Sequence, residues 1–86
     1  MASYSILLTR SAARELERVP AKDRQRIVTR IGALAHDPRP AGAEKLSGDD
    51  KYRIRQGDYR ILYEIVDAEL IVTVVRVGNR REVYRR

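Results

Sequence analysis

The sequence predicts an α+β fold in one domain spanning residues 1–86: a two-helix N-terminal hairpin packed on a small, mostly antiparallel sheet, in the order β-α-α-β-β-β. Two observations carry this. Apolar residues recur every three or four positions between Ala12 and Ala35, then every second position from Tyr52 onward. Prolines and short polar dipeptides fall where one period gives way to the next.

Taken in order, Tyr4 to Thr9 (YSILLT) is a short apolar run suited to a first strand. Ser11 is placed to cap a helix in which Ala12, Leu16 and Val19 share a face, and Pro20 ends it. The second helix carries Ile27, Val28, Ile31, Leu34 and Ala35 as its apolar stripe, with Lys22, Asp23, Arg26, Thr29 and Arg30 opposite. Pro38 and Pro40 stop it, so His36 reads as a donor or cation at the helix C-terminus and not as a catalytic group. The stretch "DPRPAGAEKLSGDD", residues 37–50, reads as a loop pinned by Leu46; its length implies partial order or a function.

From Tyr52 the alternation sorts side chains into two sets. Tyr52, Ile54, Tyr59, Ile61, Tyr63, Ile65, Leu70, Val72 and Val74 form the core face. Arg53, Arg55 and Arg60 fall on the other, with Leu62, Ile71 and Val75. Two-residue loops at Gln56-Gly57 and Asp67-Ala68 would set Arg53 against Arg60, Tyr52 against Ile61 and Arg60 against Val75. Like charges facing across strands cost stability, so the arginine face points to an anionic ligand. Its apolar members point to a covering tail or partner chain.

Composition narrows the chemistry. A formal net charge of +6 suits a polyanion or an acidic protein partner. With no cysteine and one histidine, thiol chemistry, disulfides and the usual zinc sites are excluded, and no cofactor or metal is expected. No nucleotide-binding or nucleophile motif occurs, and no apolar run reaches membrane-spanning length. What remains is arginine (Arg53, Arg55, Arg60, Arg76, Arg80, Arg81) and Tyr84. Guanidinium groups clamp phosphates and stabilise charge developing at phosphorus. RNA supplies its own nucleophile, the 2′-hydroxyl, and the cations flanking Tyr84 in "NRREVYRR" favour its phenolate, the form that accepts a proton. Tyr84 could equally be a last strand residue packing on the sheet, and the residues alone leave both roles open.

The segments "KLSGDDKYRIRQGDYRILYEI" and "VVRVGNRREVYR" closely resemble the RelE branch of the RelE/ParE toxin superfamily, over nearly the whole chain. The resemblance implies the toxin of a bacterial type II toxin–antitoxin pair: a cytoplasmic, ribosome-dependent, metal-independent endoribonuclease that cuts A-site codons by 2′-hydroxyl attack. It implies catalytic roles for Tyr84 (general base), Arg80 (at the leaving group) and Arg60 (at the phosphate). Arg53 and Arg55, with Lys51 and Arg81, would grip the RNA. Arginine is too weak an acid to donate a proton readily, which favours charge stabilisation for Arg80. Asn79 departs from the pattern, standing where many relatives carry histidine or lysine. The implied partners are a cognate acidic antitoxin, the ribosome and mRNA, with operator DNA met only through the antitoxin complex and no membrane. Two other readings share the fold: a ParE-like inhibitor of DNA gyrase, and a catalytically silent antitoxin-binding co-repressor module.

Overall fold

A computed structural model describes residues 3–46 and 50–79. Strand β1 (Ser5–Leu8) leads into helix α1 (Arg10–Glu17), and α2 (Ala21–Ala33) follows after a short turn. A two-residue strand β2 (Glu44–Lys45), then β3 (Lys51–Gln56), β4 (Tyr59–Val66) and β5 (Ile71–Asn79), complete a five-stranded sheet in the order β1-β5-β4-β3-β2. Only the β1–β5 pair is parallel. The α+β class and the helical hairpin are as expected, and the proline-rich segment is partly ordered: β2 lies in it, antiparallel to Tyr52 and Arg53.

The core is Ala12, Val19, Ile27, Ile31 and Leu34 from the helical layer against Tyr52, Ile54, Ile61, Tyr63, Ile65, Val72, Val74 and Val77 from the sheet. Removing a fully buried aliphatic such as Ile61 to alanine costs about 2–5 kcal/mol at sites of this kind. Three local expectations are corrected. Thr9, not Ser11, caps α1: its backbone is extended (ψ 162°), and its Oγ1 accepts from the Ala12 amide at 3.1 Å. Val28 is half exposed, because the buried stripe of α2 is only Ile27, Ile31 and Leu34 wide. Leu70 belongs to a turn, at φ 54°, and is exposed.

The turns also differ. The first hairpin loop is Gly57-Asp58, because the first loop position needs the positive φ (61°) that glycine adopts freely. Each partner therefore moves by two residues: Arg55 faces Arg60, Arg53 faces Leu62 and Tyr52 faces Tyr63, with every side chain keeping its face. The second connection is a 3₁₀ turn (Asp67–Glu69) plus Leu70, longer than two residues. Tyr63 faces Val74 while Leu62 faces Arg76, so Val75 is the extra residue of a β-bulge. The bulge reverses the alternation of β5, burying Val77; with the longer turn, which alone shifts the partners by two residues, it sets Arg60 opposite Gly78 instead of Val75.

Polar contacts tie the segment after α2 to the sheet. Tyr63 is fully buried and donates to the Pro38 carbonyl at 2.7 Å; burial pushes its phenol up to about 12. Its ring stacks on Tyr52 with centroids 5.8 Å apart, and the Tyr52 hydroxyl accepts from Arg39 Nε at 2.9 Å. Arg39 also forks onto Asp67 at 2.8 and 3.2 Å, and Tyr4 donates to the same carboxylate at 2.6 Å. These donors hold Asp67 at about 2, Arg39 having the largest effect.

Candidate nucleic-acid interface

Both helices lie on one face of the sheet, which leaves the cations of the β3–β4 hairpin on the other. The pleat puts Lys51, Arg53 and Arg55 on that face of β3 and Arg60 on that face of β4. Arg55 and Arg60 are directly opposed beside the hairpin turn. Two of these four cations are held by acids, one of which, Glu64, the alternation already places on this face. Arg53 forms an ion pair with Glu44 of β2, and Lys51 Nζ lies 3.9 Å from Glu64 Oε2. Glu44 lies in the stretch that reads as loop, so nothing in the pattern marks it. Arg55 is exposed and Arg60 half-buried.

Strand β5 ends beside this pair, with Gly78 opposite Arg60 and Asn79 opposite Tyr59. Arg80, Arg81 and Tyr84 lie outside the described residues. The structure thus brings together Lys51, Arg53, Arg55 and Arg60, and delivers the chain to the edge of that cluster at Asn79.

Arg76, opposite Leu62 on the same face, is drawn toward α1. Glu15 of α1 accepts from Arg76 Nε at 2.9 Å and from the Val77 amide at 2.8 Å. Strand β1 pairs with β5 only as far as Val74, and beyond it α1 supplies Glu15 as a side-chain acceptor where a neighbouring strand would have supplied carbonyls. This carboxylate latch escapes sequence reasoning, since nothing in the spacing of Glu15 and Arg76 marks them as neighbours. Beside it, Arg18, Tyr59, Gly78 and Asn79 line a cleft of about 460 Å³. Toward the other end of the open face from the arginine pair, Leu7 and Val66 add exposed apolar surface to Leu62, Ile71 and Val75, in keeping with a partner-covered surface. No helix among the described residues is long and apolar enough to cross a membrane.

Among the described residues this is a small α+β domain that sets guanidinium groups side by side on the sheet face opposite its helices. Known proteins similar to this chain are toxins of toxin–antitoxin pairs. Residues 6–84 match the family described as the ParE toxin of the type II toxin–antitoxin system parDE. Toxin RelG of Mycobacterium tuberculosis is 32% identical, covering 96% of this chain and 98% of that protein. The mRNA interferase toxin RelE of Escherichia coli is 30% identical, covering 95% and 90%. The toxin–antitoxin complex RelBE2 of M. tuberculosis contains a chain with TM-score 0.80 and 28% identity, covering 92% of this chain and 100% of that one. The chain belongs to the RelE/ParE superfamily of type II toxins.

Proposed function

We propose that this toxin is an endoribonuclease of the RelE kind, cutting mRNA in the ribosomal A site by metal-independent 2′-hydroxyl attack. The observation that carries the reading is the cross-strand Arg55–Arg60 pair, with Arg53 and Lys51 on the same face. Opposed guanidinium groups repel unless an anion bridges them, and a phosphodiester fits that need. The mRNA interferase name of the E. coli relative supports the same chemistry.

In this mechanism Arg53, Arg55, Lys51 and Arg81 hold the RNA backbone. Tyr84, flanked in sequence by arginines, accepts the proton of the 2′-hydroxyl. The 2′-oxygen bonds to phosphorus as the bond to the 5′-oxygen breaks, leaving a 2′,3′-cyclic phosphate and a 5′-hydroxyl end after the leaving oxygen takes a proton from solvent. Arg60 and Arg80 stabilise the charge gathering at phosphorus and on the leaving oxygen. The apolar part of the open face, with the net positive charge, suits an acidic amphipathic antitoxin segment. Operator DNA is then met through that complex, and the site of action is the cytoplasm.

The test is cleavage by the full chain on programmed ribosomes. A single 2′-deoxy nucleotide 5′ to the scissile phosphate abolishes cutting, and excess chelator, added with enough Mg²⁺-independent stabiliser to keep ribosomes intact, leaves it unchanged. Cutting of the 2′-deoxy substrate would refute the mechanism. The ParE match favours one other reading, a gyrase poison; trapped gyrase–DNA complexes with uncut mRNA would establish it.

A further inference from the structure

Helix α2 carries a line of cations apart from the arginine face, of which Arg30 reaches back to Gly42. Lys22, Arg26 and Arg30 are spaced four apart, so they stack on one side of the helix at steps of about 6 Å. Each like-charged i, i+4 pair destabilises the helix it sits on. The structural work of α2 falls to other residues: Ile27 and Ile31 are buried, and Arg24 donates to the Glu17 and Val19 carbonyls, both at 3.2 Å. The ion pairs among the described residues join Arg39, Lys51, Arg53 and Arg76 to acids, and none draws on this line. With Gln25, Thr29 and Gln56, the three cations border a cleft of about 630 Å³.

Gln56 shows where this cleft leads. It is the last residue of β3 and follows Arg55. Strand β2 pairs with β3 only at Tyr52 and Arg53, so β2 leaves the edge from Ile54 to Gln56 uncovered. Cations therefore continue from Arg60 and Arg55 on the open face, past this edge, onto α2.

We propose that the Lys22–Arg26–Arg30 ridge binds phosphates of the same RNA strand that crosses Arg55 and Arg60, guiding it around the end of β3 onto α2. The inference rests on the ribonuclease reading and adds to it a second, backbone-only contact. Ala33 also borders the cleft, but three cations in a regular line match the repeat of a phosphate backbone.

The test is the salt dependence of binding to 2′-O-methyl RNA, which resists 2′-hydroxyl chemistry, in two lengths: about 20 and about 6 nucleotides. For Lys22→Gln/Arg26→Gln/Arg30→Gln, the slope of log affinity against log salt on the long RNA falls by about 2, at about 0.7 per phosphate lost. Between about 50 and 200 mM salt, the unaltered chain then loses roughly 20-fold more affinity than the variant. On the short RNA the two chains behave alike, and the variant unfolds at no lower a temperature than the unaltered chain. Should the triple variant unfold, Arg26→Gln alone decides, with an expected drop in slope of about 0.7. Equal slopes on the long RNA overturn the ridge while leaving the ribonuclease reading standing. Equal RNA slopes with lost binding of polyglutamate assign the ridge to an acidic protein. No salt-dependent binding by the unaltered chain to either RNA overturns the ridge, while the ribonuclease reading is decided by cleavage on programmed ribosomes.

Discussion

Arg55 and Arg60 oppose each other across an antiparallel pair, an arrangement that costs stability unless an anion lies between them. Arg55→Gln is accordingly expected to raise the thermal midpoint at low salt, by about 0.2–1 kcal/mol of stability, while weakening RNA binding. A fall in both would mean that Arg55 serves the fold. Arg60→Ala is expected to lower cleavage by about 10²–10³-fold with the domain still folded, as for loss of one group aimed at developing charge. Single-turnover rates and circular dichroism check the two halves of that statement. Asp67 and Tyr63 each contribute to the pH dependence of stability. The Asp67 carboxyl, held at about 2 by Arg39 and Tyr4, contributes stability above its ordinary value of 3.8, lost as pH falls through about 2. Tyr63, raised to about 12, contributes below 10, lost as pH rises through about 12. Urea midpoints across pH should show Asp67→Asn flattening the acid limb and Tyr63→Phe the alkaline one.

At the scale of elements, the segments with a strong period are legible in the amino-acid order alone. Ile27 and Ile31, and the alternation from Tyr52 to Ile65, put the right residues in the core because burial of one face is the main stabilising term for both patterns. Turn chemistry is harder: Gln56-Gly57 and Gly57-Asp58 are both plausible two-residue loops, and only the backbone shows glycine at the position needing φ 61°. The bulge at Val75 has only a faint mark in "VTVVRV", where strict alternation from Val72 would put Arg76 in the core, and β2 hides in a polar stretch whose pairing with β3 is tertiary. The cations of the site are legible on the open face; their acidic partners Glu44 and Glu15 are not, because ion pairs between distant segments have no local signature. Two substitutions test these elements. A Cβ on Gly57 would meet no atom within 4 Å, so Gly57→Ala should cost only the backbone strain, about 1–2 kcal/mol, with Gly57→Asn milder. Glu15→Ala strands the Val77 amide and Arg76, and denaturation should show a loss of about 1–3 kcal/mol.

For the whole molecule, one small sheet separates two tasks. Its helix-covered side is the core, aliphatic but for Tyr52 and Tyr63. Its other side carries the cations of the β3–β4 hairpin, and the chain leaves β5 at their margin. On the proposed reading, catalysis requires Arg80, Arg81 and Tyr84 to complete the cluster begun by Arg53, Arg55 and Arg60. The most direct measurement is mapping of mRNA 5′ ends in cells expressing the unaltered chain or Tyr84→Phe. The account predicts new ends within translated frames, abolished by Tyr84→Phe and absent from untranslated copies of the same message. Growth arrest with intact mRNA, or equal cutting by Tyr84→Phe, would contradict it.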